Sequence, residues 1–268
     1  MPRIKQKDCV TCVPTKDTCL VISTDVYFVD YAKTLLKSVS ANYSGANKLK
    51  VFVLSPEDIH YRAADFVFPN LDVEFTYPEN VRPHEESGFV GKMYKNKQYT
   101  GTSLYRYFVG SVCVDYRKAV YIDVDCIIAR DIQPLLDYKL GDAPIAAFPE
   151  IQLSFPENET FRDTSIFNSG VMVINLDYFR ENNIEDVLMD VSMNFDDWLG
   201  YADQDVFNVV FKNNWSALSI NFNYLANIYK SLPVLDPVVV HFAGKSKPWL
   251  SGTQDSKWKQ LWRMYHER

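Results

Sequence analysis

The chain has 268 residues, 47% of them hydrophobic and 23% charged, which is ordinary for a globular protein and enough to build a sizeable core. A net charge of -6 argues against a nucleic-acid binder, which would carry a basic surface, and no apolar run approaches membrane-spanning length. Aromatic residues reach 15%, with 17 Tyr and 17 Phe; they suit either a core or a surface that stacks on bases and sugar rings.

The amino terminus, Met1 to Asp8, is charged and leads into no apolar segment, so no signal peptide is expected. Five thinly spread cysteines fit a reducing compartment, and the expected location is the cytoplasm. Cys9 and Cys12, with Cys19, lack a fourth ligand nearby for a zinc site. Sequons at Asn42, Asn158 and Asn214 carry no weight without secretion.

Residues 1–17 read as a loose lead-in. Cys19 to Ile22 is the first strand and runs into Ser23-Thr24-Asp25. A helix follows from about Asp30, with Ala32, Leu35, Leu36 and Val39 at helical spacing. Leu49 to Leu54 is a second strand, Ser55 to Asp58 has the composition of a helix start, and Val73 to Phe75 is a third strand. This β-α-β-α-β rhythm implies a mostly parallel central sheet flanked by helices. Residues 78–100 break the rhythm and read as a long loop beside a functional edge, with the glycines and tyrosines of a lid.

A helix from about Thr102 carries Leu104, Phe108 and Val112 on one face and delivers the strand Ala119 to Ile122. Asp123-Val124-Asp125 follows at once. If the strand continued, the two carboxylates would point the same way. They would then repel each other unless a cation lay between them. The pair alone does not decide between a solvated turn and a metal site.

Asp131 to Leu136 reads as a turn and helix start, Ala143 to Phe148 as a strand, and Glu150 to Asp163 as an acidic loop. Ser165 to Gly170 leads into an apolar strand, Val171 to Leu176, followed by a helix over Asp177 to Asn182. Asp203-Gln204-Asp205 opens a helix, where acidic residues favour the N-terminal dipole. Val238 to Phe242 is the last strand. The expected organisation is one α/β domain over 18–250, with an amphipathic basic helix over 251–268. In that helix Trp258, Leu261, Trp262 and Tyr265 form one stripe, flanked by Lys257, Lys259, Arg263 and Arg268. Such a face either packs on the domain or gives weak, salt-sensitive association with an anionic membrane surface.

Four separated motifs combine: Asp123-Val124-Asp125; Phe167-Asn168-Ser169-Gly170-Val171; Asp203-Gln204-Asp205 with Asn208; and His241 followed by Gly244 and Lys247-Pro248-Trp249. In this order and spacing they resemble glycosyltransferase family 8, the retaining nucleotide-sugar transferases of GT-A fold. The style is closest to the bacterial lipo-oligosaccharide α-galactosyltransferases and more distant from the glycogenins. The resemblance implies Asp123, Asp125 and His241 as ligands of Mn²⁺, with Mg²⁺ as the alternative. It implies Gly244 and Lys247 at the diphosphate. Ser23, Thr24, Asp25, Tyr27 and Phe28 would lie at uracil and ribose, with either Tyr27 or Phe28 stacking. Val124, Ser169 and Arg106 would complete the donor site, and Asn168, Asp203 and Gln204 would contact the donor sugar, Gln204 beneath the anomeric carbon.

The implied reaction is retaining transfer of galactose or glucose from UDP-galactose or UDP-glucose to a hydroxyl of a glycan, glycolipid or protein. An amide at position 204 is a poor nucleophile, which favours front-face transfer over double displacement. A glycogenin-like or protein-directed glucosyltransferase, an inactive nucleotide-sugar-binding protein and a metal-dependent nucleotidyltransferase are the competing readings.

Overall fold

The protein is described from a computed structural model covering residues 16–90, 101–150, 165–194, 203–228, 236–251 and 256–267. Cys9, Cys12, most of the lead-in, residues 91–100 of the expected lid, most of the acidic loop and Arg268 lie outside the described residues.

Alternating burial organises the fold. In β1 (Lys16–Ser23), Cys19 and Val21 face one core while Leu20 and Ile22 face another. In β4 (Tyr116–Ile122), Ala119 and Tyr121 separate from Val120 and Ile122 in the same way. Strands buried on both faces need helices on both sides. One layer is α1 (Val29–Ala41), whose Val29, Ala32, Leu35, Leu36 and Val39 form its inner stripe. The opposite layer contains α5 (Leu176–Glu181), α6 (Ile184–Asn194) and α7 (Asp203–Val210). Three short helices, α2 (Arg82–Glu86), α3 (Val109–Val112) and α4 (Gln133–Leu136), occupy connections.

With β2 (Leu49–Leu54), β3 (Leu71–Thr76), β6 (Ile145–Glu150), β7 (Ile166–Asn175) and β8 (Ser216–Ala217), the large sheet has the order β3-β2-β1-β4-β7-β6-β8. β3, β2, β1 and β4 run parallel, β7 is antiparallel to its neighbours β4 and β6, and β8 is parallel to β6. The chain moves outward from β1 to β3 and then returns to place β4 on the other side of β1. That is a switch point, where open α/β sheets bind ligands beyond the carboxyl ends of their strands. A second sheet, β5 (Cys126–Ile128), β10 (Val239–His241) and β9 (Tyr224–Leu225), lies just past the end of β4.

Two expectations change, and the choice left open for the last helix is decided. Residues 78–90 are largely helical, with a 3₁₀ turn Glu79–Val81 leading into α2. Pro83 suits the first turn of a helix, and buried Val81 and Val90 tie the segment to the core. The helix expected from Thr102 is a 3₁₀ helix, Gly101–Phe108, before α3, and it is buried almost all round. The aromatic stripe of α8 (Lys257–His266) faces inward: Trp262 is buried, lies 5.9 Å from Tyr31 of α1, and stacks on His266 at 4.6 Å. Asn42 donates to the Tyr265 hydroxyl at 3.0 Å, which fixes the helix further. The apolar face that a bilayer would take up is therefore spent on the domain. Among the described residues no helix is long and apolar enough to cross a membrane.

Candidate active site

At the switch point a cavity of about 310 Å³ is lined, among the described residues, by Ser23, Thr24, Phe28, Thr102, Ser103, Arg106, Tyr121, Asp123, Val124, Asp125, Gly244, Lys245, Lys247 and Trp249. Nine residues expected at a donor site are thus on its wall. Asp25 and Tyr27 are not among them. Asp25 Oδ1 accepts the backbone N–H groups of Tyr27 (2.9 Å) and Phe28 (3.2 Å), which starts α1, and the Tyr27 side chain is 77% exposed. Phe28 packs edge-on to Trp249, which in turn stacks on Tyr31 at 4.0 Å.

The strand does not continue through Asp123. The N–H of Cys126 donates to the carbonyl of Asp123 at 3.1 Å and closes a turn, and the two carboxylates take different basic partners. Asp123 Oδ1 accepts the Tyr121 hydroxyl at 2.8 Å and faces Arg106 Nη1 at 3.5 Å. Asp125 has basic groups on both oxygens, Lys247 on Oδ2 and His241 Nε2 on Oδ1 at 3.2 Å. Burial pushes the Asp125 carboxyl up, but the Lys247 and His241 charges win and hold it well below the usual carboxylate range.

Two glycines make this geometry. A Cβ on Gly170 would run into the His241 ring and come within 2.8 Å of Asp123 Oδ2, so only glycine lets His241 and Asp123 meet here. Gly244 has φ +80°, the left-handed turn that swings Lys247 back over Asp125. Asn227 Nδ2 holds that turn by donating to the carbonyls of Ala243 and Ser246, both at 2.9 Å.

Arg106 is buried, not a surface arginine. Its Nη1 donates to the Ser169 carbonyl at 2.9 Å, its Nε to the Ser103 carbonyl at 3.2 Å, and its Nη2 pairs with Asp203. Burial pushes the Asp203 carboxyl up; Arg106 opposes this, Asp123 adds to it, and the result is about 6.

Behind the cavity wall lie Asn168, Ser169, Asp203, Gln204 and His241. Gln204 Oε1 accepts from the Ser169 N–H (3.1 Å) and Asn168 Nδ2 (3.2 Å), while its Nε2 donates to Glu150 at 2.9 Å. Burial raises the Glu150 carboxyl, against the Gln204 hydrogen bond. Asn208 clasps both backbone groups of Phe167, at 2.8 and 2.9 Å, so the Asn-Ser-Gly segment is strand rather than the lead-in expected from its sequence. Sequence reasoning missed Glu150, Asn223, Asn227 and Tyr121. Each acts through burial or a distant partner, and no local spacing announces it.

The donor set that is most compact among the described residues is Asp125, Cys126 and His241. Cys126 and His241 are opposite each other in the β5–β10 pair, which puts both on one face. Burial first, then the Asp125 and Asp123 charges, pushes the Cys126 thiol well up. Asp123 Oδ2 also lies beside the His241 ring, over Gly170. Asp125 and His241, with Cys126 in reach and Asp123 Oδ2 beside the ring, fit a divalent ion.

Residues 19–253 match glycosyl transferase family 8. The probable glycosyl transferase Gly of Streptococcus gordonii is 32% identical over 169 residues, 61% of this chain and 24% of that protein. Glycosyltransferase GlyB of Streptococcus pneumoniae is 24% identical over 265 residues, 92% of this chain and 61% of that one. The chain thus spans less than two thirds of the length of either relative. Among solved structures, the galactosyltransferase LgtC in complex with donor and acceptor sugar analogs superposes with a TM-score of 0.73 at 21% identity, over 92% of this chain and 95% of that one. An active-site mutant of LgtC gives 0.75 at the same identity and coverage. These likenesses show a GT-A fold, and with the family match over nearly the whole length they establish that the chain belongs to glycosyltransferase family 8.

Proposed function

We propose that this chain transfers galactose or glucose from a UDP-sugar to an acceptor hydroxyl with retention, using Mn²⁺ in preference to Mg²⁺. The observation that carries this reading is the convergence of His241 and Lys247 on Asp125, in the wall of a cavity on the sheet's switch point. The chemistry a divalent ion supplies at such a place is neutralisation of the charge that develops on a diphosphate leaving group. Asp123, Asp125 and His241 would hold it, and the imidazole favours Mn²⁺ over harder ions.

The chain's own residues do the rest. Lys247 contributes a point charge to the phosphates, and Gly244 allows close backbone approach. Ser23, Thr24 and Val124 border the nucleoside, with Phe28 as the stacking ring. Asp25 shapes the start of α1 beneath it. Arg106, held by Asp203 and the Ser169 carbonyl, faces the sugar-phosphate side. Gln204 is held by three partners with its oxygen turned to Ser169 and Asn168, an arrangement suited to stabilising positive charge at the anomeric carbon rather than to bonding with it. Front-face attack follows, with the departing phosphate oxygen taking the acceptor's proton. A glycan or glycolipid acceptor is the natural class, and the LgtC structure with donor and acceptor sugar analogs supports it.

The test is a panel of UDP-sugars incubated with Mn²⁺ and no acceptor. Slow release of UDP from UDP-galactose or UDP-glucose, stopped by a chelator, is expected. A protein that binds and hydrolyses no UDP-sugar would contradict the reading.

A further inference from the structure

We propose that Asn223 is a positioning residue that fixes the His241 tautomer, and that two backbone N–H groups of β7 impose this choice through a chain of side-chain amides. The proposal rests on His241 being a metal ligand, as argued above, although its geometric part stands without a metal.

The polarity of an amide side chain is normally ambiguous, because its oxygen and nitrogen look alike. A backbone N–H can only donate, and that removes the ambiguity here. The Gly170 N–H donates to one atom of the Asn168 amide at 3.1 Å, so that atom is the oxygen, Oδ1. The Ser169 N–H likewise fixes Gln204 Oε1 at 3.1 Å, and Asn168 Nδ2 donates to the same oxygen at 3.2 Å. Asn223 meets Asn168 Oδ1 at 2.9 Å and must present a donor, its Nδ2. Its oxygen is then the atom that faces His241 Nδ1 at 3.0 Å. An amide oxygen accepts, so Nδ1 carries hydrogen.

That leaves Nε2 as the atom facing Asp125 Oδ1 at 3.2 Å. A nitrogen lone pair and a carboxylate oxygen tolerate each other only with a cation between them, a proton or a metal ion. Asn223 is fully buried, Asn168 and His241 nearly so, and Gly170 packs against the ring. Water is therefore a poor substitute for the amide. The same chain continues through Gln204 to Glu150, so one run of hydrogen bonds joins the imidazole at the ion site to the amide at the sugar site. Histidine ligands commonly have such a partner, whose loss costs about 10–100-fold in metal affinity.

The experiment has two readouts on the full chain. The first is ¹⁵N NMR of the metal-free protein, with the His241 signals assigned by their loss in His241→Gln. A protonated Nδ1 is expected, and an unprotonated Nδ1 overturns the proposal whatever the protein's activity. The second is Mn²⁺ binding with UDP, followed by electron paramagnetic resonance, beside UDP-sugar turnover. Asn223→Leu removes the acceptor for Nδ1–H and should weaken Mn²⁺ binding about 10–100-fold. Asn223→Asp keeps that acceptor but sets a carboxylate against Asn168 Oδ1. It should bind Mn²⁺ nearly as the wild type while kcat falls at unchanged KM. Wild-type Mn²⁺ affinity in a folded Asn223→Leu variant contradicts the proposal. If that variant does not fold, Asn223→Asp decides: Mn²⁺ affinity lost together with turnover contradicts it. Absence of Mn²⁺ binding in the wild type, with Nδ1 protonated, would count against the metal reading alone.

Discussion

Asp125 and Asp203 are both buried carboxylates facing a basic side chain, and their acidities move in opposite directions. Burial raises both. At Asp125 the Lys247 and His241 charges overcome it and keep the group ionised far into acid. At Asp203 Arg106 opposes burial without overcoming it, Asp123 adds repulsion, and the carboxyl settles at about 6. The number and placement of neighbouring charges decide the outcome. Asp125 lies on the cavity wall with a basic group on each oxygen; Asp203 is walled in behind Arg106 and shares its field with another carboxylate. The first presents its charge at the cavity wall, and the second is paired with Arg106 behind it.

The sharpest way to separate these roles is to remove each basic partner. Arg106→Met strands Asp203 in the interior and should cost about 3–5 kcal/mol of stability in urea unfolding. Lys247→Met leaves Asp125 with His241 as a remaining basic partner, so it should cost less stability than Arg106→Met while weakening UDP binding. Equal stability losses would erase the distinction.

Gln204→Ala should lower turnover on the order of tenfold and, by stripping the buried Ser169 N–H and Asn168 amide of their acceptor, lower stability by about 1–3 kcal/mol. Gln204→Glu should not produce a faster enzyme. A covalent glycosyl adduct on residue 204, seen by mass spectrometry, would replace front-face transfer with double displacement.

The two carboxylates also differ in their pH dependence. The folded state raises Asp203 from an ordinary 3.8 to about 6, so folding takes up a proton between those values. This group's contribution to stability is greatest below the ordinary value and is lost as pH rises through about 6. Asp125, shifted down, works the other way: its contribution is intact above the ordinary carboxylate value and is lost as pH falls toward its own. Subtracting the Asp203→Asn unfolding profile from the wild type isolates the first term. The difference should fall from about pH 4 to about pH 6 and then level off. A rising difference would reverse the assignment.

The elements of the fold that repeat were legible in the sequence. The sequence pattern of β2 matches its observed bounds and that of α1 starts within a residue of the helix, because alternating and helical apolar spacing record burial directly. The two- and three-residue strands β5, β8 and β9 were not legible, since they are too short to show a period and are set by their partners. The start of β7 was placed five residues late, because the clasp of Asn208 on Phe167 reaches across 41 residues. In the site, the motifs located the carboxylates, histidine, lysine and glycines. What the sequence hid was connection: that Asp123 turns to Arg106 and Asp125 to Lys247, and that Asn223 joins His241 to Asn168. The stripe of α8 was visible as a pattern, while its docking partner Tyr31 was 231 positions away from Trp262 in the chain and invisible to any window.

The most direct test of the account is calorimetric titration of UDP into the wild type and Asp125→Asn, each with Mn²⁺ and with a chelator. The account predicts that the wild type binds UDP tightly only when Mn²⁺ is present. It predicts that Asp125→Asn, still folded by circular dichroism, loses this Mn²⁺ dependence together with turnover, by on the order of 10²–10³-fold. UDP binding to the wild type that is indifferent to the chelator, or Mn²⁺-dependent binding that survives in Asp125→Asn, would contradict it.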